Sequence, residues 1–407
     1  MSRFFHILRW RLALVGRLIA EYSRAWVRRR FHGWRSIADL LVISALLIAT
    51  ACLWRAPGPT PIVEEPGLKT ERAKVLSVDN DGLQVHGLVR FGTQRLTVRL
   101  ADGREAEAYN ELRAQLELDK TFEPGDTAIV VVQNRRDDEE DEPPVVHARD
   151  HWRLGWMGLL FGAFAVLLVA FGGFTGLRAL FTFFFSCLAI WKLMIPYALE
   201  GHSAALASFL TVAALTAAIL FLVAGVTKKG VSAFIGSMLG VVASFALARL
   251  TVVALHINGA TMPFAQQLLY SGVPGIDLQD IFIGAIVLAS SGAVMDLAMD
   301  IASGAEEVRR HNPSLSRKEL FLSCIRIGRS VVGTMTTTLL LAYSGGFLTL
   351  LMVFAAEGKQ PVDFLNTTLV SAEVVKTLVG SLGLVLVAPF TALVSAFVFK
   401  PVKGHDL

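Results

Sequence analysis

Charge is scarce in this sequence. Asp, Glu, Lys and Arg make up 18% of its 407 residues, while 54% are hydrophobic and the mean hydropathy is +0.55. A soluble chain carries about 25% charge, so a wholly soluble globular protein is excluded. Cysteine is scarcer still. Cys52, Cys187 and Cys324 lie in or beside apolar runs, with no disulfide framework and no metal-ligand spacing. No G-x-x-x-x-G-K-[ST] phosphate loop is present, which removes a nucleotide-driven pump contained in this chain alone. The nine histidines fall outside the apolar runs or near their ends, which disfavours a zinc site at membrane depth.

What is present is a set of apolar runs of the roughly 20 residues that cross a bilayer. They lie at about 37–54, 154–173, 176–196, 203–225, 230–254, 278–302, 329–355 and 371–399, so eight transmembrane helices are expected. Residues 1–35 hold nine Arg and one Glu. Such a leader, without a clean cleavage site, reads as a retained anchor flank and not a signal peptide. Leu12, Val15, Ile19, Tyr22 and Trp26 share one helical stripe apart from Arg17, Arg24 and Arg28, the pattern of a basic helix lying on anionic lipids. Arg178, Lys228 and Lys229, the stretch from Arg309 to Arg329, Lys400 and Lys403 all fall on the leader's side of the expected spans. Basic loops stay cytoplasmic. Both termini are therefore expected in the cytoplasm of a cell whose inner membrane holds the chain, with a short tail at 400–407.

Residues 55–153 are then extracytoplasmic, with 20 acidic and 14 basic residues, the reverse of the leader's balance. Two strand-like runs flank Asn80-Asp81-Gly82, a hairpin signal. Leu96, Val98 and Leu100 alternate with Thr97 and Arg99, and a Pro-Gly-Asp turn precedes the apolar run TAIVVVQ. Five or six short strands over about 71–133 predict a small β-barrel, since closure protects strand edges. Residues 134–144, with six consecutive acids from Asp137 to Glu142, read as a solvated linker.

The candidate site begins with two carboxylates. Asp296, Asp300, Ser303 and Glu307 recur at i, i+4, i+7 and i+11 and share one helix face. If the helix ends near Ala302, Asp296 lies about 9 Å inside. An ionised carboxylate in hydrocarbon costs about 2.5–3.5 kcal/mol, so these acids must be paired, protonated or facing water. The following run enters with Arg326 and Arg329, then places Ser330, Thr334, Thr337 and Thr338 on one face. The last run aligns Glu373, Thr377, Ser381, Thr391 and Ser395, and its Pro389 frees a backbone carbonyl. A polar layer of Asp296 with Thr334, Thr338 and Thr391 is expected, with Asp300 balancing Arg329. Such hydroxyl residues are also the ordinary contact surface of membrane helices.

The motifs GAVMDLAMDIAS, GTMTTTLLLAY and GSLGLVLVAPFTAL, in that order, resemble the YibE/F family of multi-pass bacterial membrane proteins. The likeness covers most of residues 71–399. It rests on Gly292, Asp296, Ala302, Ser303, Gly328, Arg329, Gly333, Thr334, Tyr343, Glu373, Gly380, Ser381, Gly383, Pro389 and Thr391. Lys376 stands where the family usually has Arg. Asp300, Ser330 and Thr337 depart from its usual Ser/Thr, Asp and Asn. The resemblance implies a permease-like protein and names no substrate.

Two function classes follow. One is secondary or passive transport of an ion or small solute through the Asp/Thr/Ser layer, whose oxygen ligands suit a proton or hard cation. The other is a non-transporting assembly, scaffold or sensor protein acting through the external domain. An aspartyl hydrolase is disfavoured, because its two acids would come from different helices and these share one. No cofactor and no nucleic acid are expected. The expected partners are the bilayer, anionic lipids at the leader, and a second copy or an envelope protein.

Overall fold

The computed structural model describes residues 34–59, 68–116, 118–133 and 145–401. The basic leader, the acidic linker and all but the start of the C-terminal tail lie outside the described residues. The chain forms two compact units, Val63–Leu167 and Met1–Ile62 with Leu168–Leu407.

The smaller unit is a barrel of β1 (Leu68–Asp79), β2 (Leu83–His86), β3 (Val89–Arg99), β4 (Glu105–Arg113), β5 (Thr127–Gln133) and β6 (Val145–His151). The order is β1-β5-β6-β4-β3-β2, and a β1–β3 pairing closes five strands into a ring. Every pairing is antiparallel except β4 with β6, the arrangement of an OB-type Greek-key barrel. Side-chain alternation works as expected: Leu96, Val98 and Leu100 point inward with Ala128, Val130 and Val132.

Two expectations change here. The Asn80-Asp81-Gly82 turn forms, but β2 pairs with β3 and not with β1. Gly92, at φ 114°, lets β3 pass so close that a Cβ there would meet Gly82 O at 2.1 Å. The barrel also does not end at Gln133. Its ring is closed by β6, beyond the acidic stretch, which pairs with both β5 and β4. Six acids in a row mask the strand that follows them.

The larger unit is helical: α1 (Trp34–Arg55), α2 (Leu154–Ala189, shared with the first unit at its start), a π turn (Ile190–Met194), α3 (Ile195–Leu199), α4 (Ala204–Ala224), α5 (Lys228–Ala254), α6 (Ala265–Tyr270), α7 (Leu278–His311), α8 (Arg317–Gly345), α9 (Leu348–Ala356), α10 (Pro361–Leu365) and α11 (Thr368–Val398). Among the described residues, five helices are long and apolar enough to cross a membrane, six if α8 and α9 count as one span bent by 67°. Eight were expected. The apolar part of α1, Leu41–Arg55, is shorter than that length, and residues 154–199 form one helical run. That run breaks at Gly173 (φ 55°, ψ −130°), a backbone state that favours glycine.

Helices α5 and α11 cross at backbone contact. A Cβ on Gly383 would lie 1.8 Å from Ser244 Oγ, and one on Gly236 would lie 2.2 Å from Thr391 Oγ1. Lipid tails are as apolar as leucine, so close packing of small residues is what holds membrane helices together. Val241, Val294, Leu297, Ile301, Leu384 and Val387 fill the core around this crossing.

Candidate functional site

Helix α7 starts at Asp277, whose carboxylate accepts the N–H groups of Gln279 and Asp280, and runs 34 residues to Arg309, Arg310 and His311. Cations in the last turn suit the negative end of the helix dipole. The helix therefore continues nine residues past Ala302, and Asp296 lies 15 residues from its end, about 22 Å at 1.5 Å per residue. It sits much further from that end than expected. Val294, Leu297, Ala298, Ile301 and Ala302 occupy the buried face. Gly292, Asp296, Asp300 and Glu307 are exposed on the other, and Ser303 is half-buried between them.

Helix α8 starts with a capping box. Ser316 accepts the Glu319 N–H, and the Glu319 carboxylate accepts from Ser316. Further along, Arg326, Arg329, Ser330, Gly333, Thr334, Thr337 and Thr338 are all exposed. The hydroxyls of Ser330, Thr334, Thr337 and Thr338 donate to carbonyls of their own helix at 2.7–3.1 Å. Their oxygen lone pairs stay free to accept or to coordinate.

The two helices run antiparallel in a register that the glycines reveal. Gly328 packs on Ile301, and Gly304 on Ile327. Asp300 is thus level with Arg329, and Asp296 with Gly333 and Thr334. The chain brings these groups to one face at two successive levels, and among the described residues it joins none of them. Among the described residues, neither carboxylate has a hydrogen bond or ion pair, so the expected Asp300–Arg329 bridge does not form within one chain.

Thr391 and Ser381 lie elsewhere. Thr391 is fully buried against Gly236, in a seam with Ser232, Ser237, Ser244 and Ser395, and among the described residues none of these hydroxyls has a partner. Pro389 is exposed on α11. Glu373 and Lys376 form a half-buried pair at 2.9 Å, with the ammonium 5.7 Å from the centre of the Phe347 ring. Phe347 stands at the α8–α9 bend, and Glu373 also lines a mostly apolar groove of about 260 Å³ with Ser344 and Thr377.

Two features escape a reading by periodicity. Arg309 counts in the sequence as one more cytoplasmic charge, yet it is buried. It donates to the carbonyls of Pro313 (3.1 Å), Leu315 (2.5 Å) and Phe399 (3.0 Å), tying the α7–α8 turn to the end of α11. The other is the α5 serine seam, although Gly236, Gly240 and Ser244 at four-residue spacing are a small-residue signature. Among the described residues, no group of three or more His, Cys, Asp and Glu is placed to hold a metal ion.

Apolar helices of membrane-crossing length, packed through glycine and serine contacts, define a multi-pass helical membrane protein, which also carries a small β-barrel. More particularly, the chain belongs to the YibE/F family: the model of the YibE/F-like protein matches residues 160–401, the stretch that holds α7, α8 and α11. No curated protein and no solved structure matches the chain.

Proposed function

We propose that this protein carries an ion or proton across a bacterial cytoplasmic membrane by secondary or passive transport, with Asp296 as its principal ligand and Thr334 and Thr338 as neighbouring oxygen ligands. One observation carries the reading: an unpartnered carboxylate halfway along a 34-residue apolar helix, level with a stripe of hydroxyls. An ionisable group at such depth is costly and persists where it has a task. Counting α1 as the first span, and the Gly173 break as a boundary between two, restores the eight spans of the proposed topology. Both termini are then cytoplasmic and the barrel external, as the basic-residue asymmetry requires.

The test is flux in proteoliposomes across a panel of cations and anions. Asp296→Asn keeps the shape and removes the charge, so it is expected to reduce flux to background with expression and melting nearly unchanged. Asp300→Ser, the residue type usual in the family, is expected to retain flux in part, with a modest loss of stability. A destabilised Asp296→Asn protein with unchanged flux would make the carboxylate structural.

A second reading, an assembly or sensor protein, draws support from the barrel. Its groove of about 740 Å³ between β4 and β6 is lined by Tyr109, Glu111, Arg113, Lys120 and His147, a mixed surface suited to a polar partner.

A further inference from the structure

We propose that the face of α7 and α8 carrying Asp296, Asp300, Arg329 and Thr337 is closed by a second copy of this chain, related by a two-fold axis along the membrane normal. The proposal rests on the membrane reading above and places the transport path between two copies.

The first argument is solvation. Asp296, Asp300 and Arg329 are exposed on a helix pair of membrane-crossing length, and no described residue pairs with either acid. Facing hydrocarbon, each charge is strongly disfavoured. A water-filled path needs walls on every side, and on this side the chain supplies none among its described residues.

Shape gives a second, independent argument. Gly292 on α7 and Gly333 on α8 have nothing within 4 Å of where a Cβ would stand. Elsewhere in the bundle Gly236, Gly328 and Gly383 each lie against a neighbouring helix. Two glycines on one uncovered face leave it flat enough for another helix to approach.

Charge then selects the occupant. Because Asp300 and Arg329 lie at the same depth, rotation about the membrane normal keeps both at that depth and carries each to the opposite side. Asp300 of one copy thereby meets Arg329 of the other, twice over, as an isologous interface demands. A protein of unrelated sequence would need to supply the same pair in mirror order, whereas a second copy carries it already.

The experiment is cysteine crosslinking in native membranes, in a background where Cys52, Cys187 and Cys324 are replaced by Ala. Thr337→Cys is expected to give a disulfide dimer under mild oxidation. Leu250→Cys, exposed on α5, is expected to remain monomeric. Charge exchange adds specificity. Asp300→Arg alone and Arg329→Asp alone are each expected to lose the Thr337→Cys dimer, and co-expression of the two single variants should restore it as a heterodimer. A monomeric Thr337→Cys protein, equal crosslinking at Leu250→Cys, or an intramolecular crosslink from Thr337→Cys to a cysteine placed in residues 1–33 would each overturn the proposal. Crosslinking reads the interface without any flux, so a failed dimer and a failed transport assay are separate results.

Discussion

The barrel and the helical bundle differ in how they treat many of their small buried polar side chains. In the barrel, Gln94 donates to Asn80 Oδ1 and Phe122 O and accepts from Phe122 N–H, while Asn110 donates to Gln94 Oε1 and Lys120 O. Both amides are buried, and both are tied to backbone. In the bundle, Thr216, Ser232, Ser237, Ser244, Ser381, Thr391 and Ser395 are buried with hydroxyls that have no partner among the described residues, and the carboxylates of Asp296 and Asp300 point outward with none there either. A domain that folds in water must replace every hydrogen bond it takes from water. A bundle packed through small residues uses serine for its size, because it lets backbones approach closely.

That contrast can be broken most forcefully at the barrel's last strand. A fragment of residues 63–153 is expected to melt cooperatively with a β-rich circular dichroism spectrum, since its ring is complete. A fragment ending at Gln133 lacks β6, leaves β4 and β5 with open edges, and is expected to be unfolded. Equal melting of the two would show that β6 adds nothing to closure.

Next in size is Arg309→Leu, which strands three carbonyls where charge-assisted bonds now hold them. The bundle should lose about 2–4 kcal/mol, seen as a lower melting temperature in detergent with the barrel transition unmoved.

A matched pair of substitutions sharpens the contrast itself. Asn110→Ala removes two donors from a satisfied network and should cost the barrel about 1–3 kcal/mol. Thr391→Val replaces an idle hydroxyl with a methyl of similar shape. It is expected to leave bundle stability unchanged or slightly raised, by thermal unfolding. Equal losses from both would mean that Thr391 makes a hydrogen bond after all.

The smallest effect is a pH dependence. Partial burial pushes the Asp150 carboxyl up, but the His151 N–H, the Arg153 guanidinium and the Lys120 ammonium outweigh it and hold the group below its usual range. Its folded pKa being depressed, its contribution is complete above the unfolded value and is lost as pH falls through the folded one. The 63–153 fragment should therefore melt lower in acid, and Asp150→Asn should flatten that dependence.

Much of this architecture is legible from residues alone. Alternation at Leu96, Val98 and Leu100 states which face of β3 is inward, and a period of 3.6 residues puts Asp296, Asp300, Ser303 and Glu307 on one side of α7 whatever surrounds it. Local geometry decides such facts, and local geometry is written in spacing. Which way a face turns is a different matter. Spacing alone did not reveal that Thr391 packs against α5, away from Asp296, that Arg309 turns inward to three carbonyls, or that a strand beyond six acids closes the barrel. Those outcomes depend on which helix or strand lies next door. That neighbour is chosen by the fit of Gly236 to Thr391 and of Gly383 to Ser244 across some 150 residues of chain, a separation over which periodicity carries no information.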